Sequence, residues 1–354
     1  LSVAEKQLVE IAKAVSKNVK ILVMDEPTSA LNDAETDNLF ELILKMRDEG
    51  VSIVYISHRM SEIYRVADSA MVMRDGKYIA KVKVADTTTD DLVAYMVGRK
   101  IDDMYPKRSV TPGKEVFAVE HLTTDRLKDI SFHIRAGEVV GLFGLMGAGR
   151  SEIASCIVGM KYHQTSEMRI NGEKYVPVSP ANALKHKITY VPAERKTDGL
   201  FLALTVRENI TISNLDLFTK HGKMDLKKEK KIADEWIKTL RVKTPKSETI
   251  IESLSGGNQQ KVAVAKSLIT DPELIILNEP TRGIDVSAKA EIYTLINELC
   301  AQGKAVLMIS SELPEIMSMS DRIYVICEGR MTGEVQKADF TQERLVKYAI
   351  GETD

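Results

Sequence analysis

The chain has few of the features that mark several large classes of protein. It has 354 residues, of which 3 are cysteines and 5% are aromatic. The cysteines Cys156, Cys300 and Cys327 fit neither an even disulfide framework nor a paired metal-ligand spacing, which favours a reducing compartment over a disulfide-rich secreted fold. No apolar run approaches the roughly 18 residues that span a bilayer, so the sequence predicts no transmembrane helix and no signal peptide.

The chain also lacks an excess of charge of either sign. It has 49 Lys and Arg residues against 51 Asp and Glu residues, for a net charge of -2. This balance gives no bulk attraction for nucleic acid or an anionic membrane. The basic run at 223–231 has no interleaved aromatics, so we interpret it as a solvated helix face. With 44% hydrophobic residues, the chain can bury a large core, which favours two folded domains.

An internal repeat organises the chain. Leu1-Ser2 recurs as Leu254-Ser255, and Glu26-Pro27-Thr28 recurs as Glu279-Pro280-Thr281. Both matches have the same offset of 253 residues. Because further matches keep this offset without a gap, the chain contains two copies of one structural unit.

The repeat sets the expected domain boundaries. Residues 1–100 form a partial first copy, residues 101–113 a linker with two prolines and a glycine, and residues 114–354 a complete second copy. Short apolar runs alternate with helical stretches, which is typical of an α/β sheet with mainly parallel strands, and a helical insert is expected over 204–268. Because residue 1 is Leu and not Met, we expect a truncated chain that lacks roughly 140 residues of the first copy.

A glycine-rich segment that follows a β-like run gives the strongest sign of nucleotide binding. Its residues are Gly144, Leu145, Met146, Gly147, Ala148, Gly149, Arg150 and Ser151. They match the phosphate-loop pattern G-x-x-x-x-G-K-[ST], except that Arg150 replaces Lys. The glycines let backbone N–H groups meet phosphate oxygens, and the Ser151 hydroxyl can ligate Mg²⁺. The alternative is a glycine-rich turn that only packs a helix on a strand, and the strand–loop–helix context disfavours it.

A second glycine-rich segment opens a later helix. Its residues are Leu254, Ser255, Gly256, Gly257 and Asn258. A hydroxyl and two glycines at a helix start suit a phosphate group. Without further context, the same residues would indicate only an ordinary Ser N-cap. Their position between the phosphate loop and the apolar run that ends at Asn278-Glu279 favours the nucleotide role.

These motifs together resemble the ATP-binding-cassette (ABC) ATPases over essentially the whole chain. Residues 144–151 resemble the Walker A motif, and residues 254–258 resemble the LSGGQ signature. Asp25-Glu26 and Asn278-Glu279 resemble Walker B with its catalytic glutamate, and His58 resembles the switch histidine. The resemblance implies an α/β phosphate-loop fold with a mostly parallel sheet, a β-rich N-terminal subdomain and a helical signature subdomain.

Longer stretches narrow the resemblance. LSGGNQQKVAVAKSL and NEPTRGIDVSAKAEIY are similar to the second cassette of the fused double-cassette ATPases of bacterial monosaccharide importers, of the ribose and galactose type. This resemblance implies ATP and Mg²⁺ as cofactors and transmembrane permease subunits as partners, with a periplasmic sugar-binding protein as an indirect partner. It also implies the cytoplasmic face of the bacterial inner membrane, and no nucleic acid. A nucleoside importer and a soluble twin-cassette ATPase of ribosomes or DNA are the alternatives.

In this family two cassettes bind two ATP molecules head to tail, so each site pairs the phosphate loop of one copy with the signature of the other. The first site would use Asp25 to hold Mg²⁺ through water, Glu26 to polarise the attacking water and His58 to hold the γ-phosphate. Its signature would be residues 254–258. Since the phosphate loop of the first copy is absent, we expect little ATPase activity from this chain alone.

The second site departs from the family pattern at several positions. Arg150 replaces the Walker A lysine, Asn278 the Mg²⁺-binding carboxylate, Ser311 the switch histidine and Val3-Ala4 the signature glycines. Glu279 keeps the place of the catalytic glutamate. An Arg is not a neutral exchange for Lys in a tight loop. We therefore expect the second site to bind ATP and hardly to hydrolyse it.

Two further positions are less clearly defined by the sequence. No aromatic residue lies between Phe117 and Phe132, so no residue is predicted to stack on adenine. Glu194 falls where the Q-loop of the family would lie, and a plain solvated charge is the equally weighted alternative.

Overall fold

The computed structural model describes residues 3–17, 19–28, 31, 33–57, 59–74, 76–97, 105–106 and 110–353. The chain divides into a first unit, Leu1–Asp103, and a second unit, Met104–Asp354. The division falls inside the Pro- and Gly-containing segment 101–113. Each unit has its own hydrophobic core.

The first unit alternates helices and strands. Its elements are α1 (Val3–Val15), β1 (Ile21–Asp25), α2 (Asp33–Asp48), β2 (Ser52–Ile56), α3 (Met60–Val66), β3 (Ser69–Arg74), β4 (Lys77–Lys83) and α4 (Thr89–Val97). Strands β1 and β2 pair in parallel, and β3 and β4 pair antiparallel. Apolar side chains of α2 pack on β1, so that Leu39, Phe40 and Ile43 lie in one core with Leu22 and Met24.

The second unit is longer and contains every element of the second repeat. Its strands are β5 (Glu115–Thr123), β6 (Ile130–Arg135), β7 (Val139–Phe143), β8 (Thr165–Ile170), β9 (Glu173–Tyr175), β10 (Ile188–Val191), β11 (Thr219–Lys220), β12 (Lys223–Met224), β13 (Leu274–Asn278), β14 (Ala305–Ile309), β15 (Arg322–Cys327) and β16 (Arg330–Gln336). Its helices are α5 (Arg150–Ile157), α6 (Pro180–Lys185), α7 (Val206–Thr211), α8 (Leu226–Thr239), α9 (Gly256–Leu268), α10 (Val286–Ala301), α11 (Leu313–Met319) and α12 (Gln342–Ala349).

A six-stranded sheet forms the centre of the second unit, in the order β10-β13-β14-β7-β15-β16. All neighbouring pairs are parallel except β15 and β16. Every residue of β7, β13 and β14 is buried, which is the pattern of strands covered on both faces. The predicted α/β fold with a mostly parallel sheet is confirmed. Because the central strands are parallel, the segments that follow β7, β13 and β14 meet at one edge of the sheet.

Two smaller parts flank this sheet. One is a four-stranded antiparallel sheet in the order β6-β5-β8-β9. The other is the segment 204–268, which contains α7, α8 and α9. It also contains the ribbon β11–β12, which the pattern missed because two-residue strands are too short to show alternation. His221 and Gly222, both with positive φ, form its turn. In the described parts of the chain, no helix is both long enough and apolar enough to cross a membrane.

Candidate nucleotide site

The phosphate-loop residues 144–151 connect the buried strand β7 to α5. Gly147 and Gly149 have φ values of 83° and 109°, which a residue with a Cβ rarely adopts. A Cβ on Gly144 would lie 2.3 Å from the carbonyl oxygen of Ile326. Helix α5 begins directly after Gly149, so its unsatisfied N–H groups and the positive end of its dipole face the loop. This geometry suits an anion such as a phosphate.

Ser151, at the start of α5, contacts the end of β13. The Asn278 side chain is buried, and its Nδ2 donates to Ser151 Oγ at 3.1 Å and to the Tyr190 hydroxyl oxygen at 3.0 Å. Mg²⁺ in proteins is usually held by one or two carboxylates together with substrate phosphates. This pair offers one hydroxyl and a neutral amide, whose nitrogen lies 3.1 Å and whose oxygen lies 3.5 Å from that hydroxyl, and no carboxylate. The residues here therefore do not fit a firmly held Mg²⁺ ion.

Arg150 reaches from the phosphate loop to the ends of two neighbouring strands. Its Nη1 donates to the carbonyl oxygen of Ser310 at 2.7 Å and lies 3.7 Å from Glu279 Oε1. Burial lowers the pKa of Arg150, and the negative charge of Glu279 opposes that change. The guanidinium therefore lies between the phosphate loop, the end of β14 and the carboxylate that follows β13.

Glu279 is held in a fixed and unusual backbone conformation. Its φ is 49°, and its N–H donates to the carbonyl oxygen of Ile309 at 2.8 Å. Positive φ at a non-glycine residue is strained and is concentrated at functional sites. Ser311 Oγ donates to Glu279 Oε2 at 3.1 Å, while Arg150 faces Oε1. One oxygen thus accepts a hydrogen bond and the other lies beside a cation, so an attacking water would compete with both for this carboxylate.

The first unit places its predicted site residues at the end of β1. Asp25 is the last residue of β1, and both Asp25 and Glu26 are exposed. Glu26 has φ of 43°, and its N–H donates to the carbonyl oxygen of Ile56 at 2.9 Å. His58 lies outside the described residues. Glu26 thus has the same backbone geometry as Glu279 in the other repeat.

The signature residues 254–258 lie at the start of α9. Asn258 Nδ2 donates to Ser255 Oγ at 2.9 Å, and Asn258 Oδ1 accepts from the Lys243 N–H at 2.7 Å. A Cβ on Gly257 would lie 2.6 Å from the Cβ of Ala288. Within residues 110–353, no hydrogen bond or ion pair joins this segment to the phosphate loop. The structure therefore brings together the phosphate loop, Asn278 and Glu279, and not the signature.

The sequence did not predict Tyr190 as a residue of this site, and it left two interpretations of Glu194 open. Tyr190, at the end of β10, completes the polar contact around Asn278. The only sequence signal for it is a polar aromatic residue in a strand of the central sheet. The Glu194 carboxylate lies 2.6 Å from the Arg282 guanidinium, and both side chains are more than half exposed.

Comparisons with known proteins identify close relatives. The family model described as ABC transporter matches residues 127–282. The ribose import ATP-binding protein RbsA of Clostridium tetani is 46% identical over 352 residues, which are 99% of this chain and 70% of that protein. The protein of the same name from Bacillus subtilis is 46% identical over 351 residues, 99% of this chain and 71% of that protein.

Solved structures agree on the fold. An ATP-binding cassette of an ABC transporter in its ADP conformation matches with a TM-score of 0.58 at 21% identity, over 68% of this chain and 100% of that chain. The protein cbiO1 from Clostridium perfringens, part of an ABC transporter complex, matches with a TM-score of 0.56 at 22% identity, over 66% and 93% of the two chains. The predicted phosphate-loop fold of ABC type is confirmed. The chain belongs to the ATP-binding proteins of ABC transporters, a family of ATPases.

Proposed function

We propose that this chain is the ATP-binding subunit of an ABC importer for ribose or a closely related monosaccharide. The observation that carries the proposal is 46% identity to ribose import ATP-binding proteins over 99% of the chain. That identity covers the helical segment and the linker as well as the nucleotide motifs. In this proposal ATP binding closes two cassettes, hydrolysis reopens them, and the permease subunits alternate their access to the two sides of the membrane.

The two repeats would act as the two cassettes of a fused pair, with residues 1–100 in the first, 101–113 as linker and 114–354 in the second. The matched backbone geometry of Glu26 and Glu279 supports this arrangement. The absence of a contact between the phosphate loop and the signature within residues 110–353 is what a head-to-tail pair requires. Residues 1–100 contain no segment of the phosphate-loop pattern, so the first site needs a phosphate loop from outside this range.

The first site would carry out hydrolysis. Glu26 would accept a proton from the attacking water, and His58 would hold the γ-phosphate. The signature residues 254–258 would bind phosphate oxygens. Asp25 offers an exposed carboxylate at the end of β1, a donor that fits Mg²⁺. The ion would neutralise charge on the phosphates.

The second site would bind nucleotide with little hydrolysis. The backbone N–H groups of residues 144–149 and the start of α5 would hold the phosphates, and Arg150 would keep a positive charge beside them. Glu279 accepts a hydrogen bond from Ser311 through Oε2, and its Oε1 lies beside the Arg150 guanidinium. A water molecule would therefore compete with Arg150 and Ser311 for this carboxylate.

The proposed partners are the transmembrane permease subunits and, through them, a periplasmic sugar-binding protein. This places the chain at the cytoplasmic face of the bacterial inner membrane, as a peripheral subunit. Solute specificity would lie mainly in the permease and the binding protein, because the residues of this site would contact nucleotide and not the solute.

Co-expression with the transmembrane subunits that serve the Bacillus subtilis relative tests the proposal. We expect the chain to co-purify with these subunits, and we expect ATP with Mg²⁺ to raise the Tm of the chain. Transmembrane subunits of an importer for an unrelated class of solute are the control. A chain that responds to ATP but binds neither set, or both sets equally, would contradict the assignment to ribose import and leave the ATPase family untouched.

A further inference from the structure

The segment that follows β10 holds an arginine whose contacts lie outside the phosphate loop. Arg195 Nη1 donates to the carbonyl oxygen of Arg282 at 2.8 Å, and its Nη2 donates to the carbonyl oxygen of Gly283 at 3.0 Å. Both carbonyls belong to the loop that leads from Glu279 to α10. One guanidinium thus holds two consecutive carbonyls, a paired geometry that its planar fork provides and a lysine ammonium does not.

The same guanidinium packs against the first residue of α9. A Cβ placed on Gly256 would lie 2.7 Å from Arg195 Nη2 and 3.0 Å from the carbonyl oxygen of Gly283. A side chain at position 256 would therefore force the Arg195 guanidinium to shift away from its two carbonyl partners. Gly256 has a steric function here, because it leaves the space that Arg195 occupies.

The turn that Arg195 begins is also tied to α9 at its other end. This π-helical turn spans Arg195–Gly199, and Lys266 Nζ, near the end of α9, donates to the carbonyl oxygen of Gly199 at 2.9 Å. Burial lowers the pKa of both Arg195 and Lys266, so the two cations have given up part of their hydration to make these contacts. The turn is therefore fixed along most of the length of α9.

We propose that Arg195 is a positioning residue that sets the placement of the turn 195–199, the loop 282–285 and the signature helix α9 relative to one another. Any displacement of the turn then moves the start of α9 and the loop after Glu279 together. The inference rests on the proposed function only in that these segments belong to nucleotide sites.

The first repeat lacks the two glycines that the contacts of Arg195 involve in the second repeat. Val3 and Ala30 stand at the positions of Gly256 and Gly283. A Cβ at the first of these positions fills the space of the guanidinium, and a positive φ such as the 64° of Gly283 is strained for alanine. Both glycines that the arrangement uses are thus specific to the second repeat.

Amide hydrogen exchange on the whole chain tests the proposal. Arg195→Ala should speed exchange in segments 256–262 and 280–288 about tenfold or more, because two charge-assisted hydrogen bonds are lost, and leave the central strands unchanged. Arg195→Lys should recover part of the protection. Millimolar methylguanidinium should restore protection to the Ala variant, and ethylammonium should not. A residue that only stabilises the unit would instead raise exchange in every core segment.

Paired glycine substitutions test the steric part of the proposal. Gly256→Ala should lower the Tm of the second unit more in the presence of Arg195 than in an Arg195→Ala background, because the conflict with Nη2 is then removed. Gly257→Ala is the matched control, since its Cβ would meet Ala288, and its effect should be equal in both backgrounds. Equal effects of Gly256→Ala in the two backgrounds would overturn the steric argument.

The remaining outcomes separate this proposal from the proposed function. Unchanged exchange in both segments of the Arg195→Ala variant would overturn the positioning role, as would a uniform rise through the unit. The increase in Tm caused by ATP with Mg²⁺ is measured separately on the unsubstituted chain. Its absence would count against nucleotide binding, while the exchange result would still decide the role of Arg195.

Discussion

The two repeats share one set of hydroxyl contacts. In each repeat a buried glutamate joins the segments that follow two neighbouring parallel strands, β1 and β2 in the first repeat and β13 and β14 in the second. In the first repeat, the buried Glu62 accepts from Thr28 Oγ1 at 2.6 Å and from Ser57 Oγ at 2.7 Å. In the second repeat, Glu315 accepts from Thr281 Oγ1 at 2.6 Å and from the hydroxyl of Ser310. Each carboxyl group therefore joins the segment after the predicted catalytic glutamate to the segment after the next strand.

The surroundings of the two carboxyl groups differ. Glu62 also accepts from the Tyr55 hydroxyl at 2.9 Å and lies 3.5 Å from the Arg59 guanidinium. The second repeat has Met308 and Glu312 at the positions of Tyr55 and Arg59. At these two positions the second repeat thus has neither a tyrosine hydroxyl nor a cation, and it has a like charge near Glu315.

The physical result of this difference is a change in charge balance. Burial raises the pKa of Glu315, and the neighbouring Glu312 raises it further, while Lys289 and the two hydroxyl bonds oppose the change. Lys289 itself is bonded to Glu312, at 2.6 Å. The comparison teaches that the two repeats share the backbone geometry of these segments. They differ in the charged groups that surround Glu62 and Glu315.

The largest expected difference between the repeats is in turnover. In the double-cassette protein proposed above, Glu26→Gln should lower the steady-state ATPase rate by about 10² or more, as expected for the loss of a general base. Glu279→Gln should lower it less than about tenfold, because Arg150 and Ser311 already engage both oxygens of Glu279. Equal losses from the two substitutions would show that the sites are equivalent.

Stability gives the next largest effect. Glu315→Ala should lower the free energy of unfolding of the second unit by roughly 2 to 4 kcal/mol, because the hydroxyls of Thr281 and Ser310 lose their partner in the core. Denaturant titration with the fluorescence of Trp236, the one tryptophan of the chain, follows this unit. Glu298→Ala, at an exposed position of α10, is the control and should change the value by less than about 0.5 kcal/mol.

A loss below about 1 kcal/mol for Glu315→Ala would mean that the hydroxyl contacts are weak. The matched variant Glu62→Ala in the first unit sharpens the comparison. It removes a partner from Tyr55 and Arg59 as well, so exchange of the β1 and β2 amides should show a greater local destabilisation than exchange of the β13 and β14 amides does in the Glu315→Ala variant.

The sequence predicts structural features that depend on residues close together in the chain. It does not predict side-chain contacts between residues that are far apart in the chain. The repeat and the glycine pattern predict the α/β fold, the phosphate loop and the common position of Glu26 and Glu279. The bond from Arg150 to the Ser310 carbonyl joins residues 160 positions apart. It depends on the order of strands in the sheet, which local pattern does not specify.

The signature glycines show the same limit. The sequence indicates one role for Gly256 and Gly257, at a helix start that suits a phosphate group. The structure adds close packing on Arg195 and Ala288, from segments that precede and follow α9 in the chain. Glycine suits both phosphate binding and close packing, so the glycine pattern in the sequence does not distinguish the two roles.

Nucleotide binding at the second repeat has a moderate expected effect. ATP with Mg²⁺ at a hundredfold excess over Kd should stabilise the chain by about 2.7 kcal/mol. Arg150→Ala should reduce that stabilisation by about 1.4 kcal/mol, equivalent to a tenfold rise in Kd, and Arg150→Lys should keep most of it. Arg330→Ala, at an exposed position of β16, is the control. A thermal-shift titration in which Arg150→Ala equals the unsubstituted chain would exclude Arg150 as a phosphate ligand.

The smallest expected effect is that of Glu315→Gln, and its sign depends on pH. Since the pKa of Glu315 is raised in the folded chain, the folded state binds this proton more tightly than the unfolded state. The resulting stability is fully present below the ordinary value of 4.5 and is lost as pH rises through the raised pKa.

Gln resembles the protonated carboxyl group, so Glu315→Gln should cost less than about 1 kcal/mol near pH 5. As pH rises toward 8, the unsubstituted second unit should lose stability relative to the variant. The buried carboxyl group must then either ionise in the core or keep a proton that the unfolded chain releases, and both reduce the free energy of unfolding. Glu62→Gln, whose carboxylate faces Arg59, should cost more, about 1 to 2 kcal/mol in the first unit. Denaturant titrations at several pH values measure the difference. If the Glu315→Gln variant and the unsubstituted chain lose stability in parallel across this range, Glu315 is not the titrating group, and the charge balance does not distinguish the repeats.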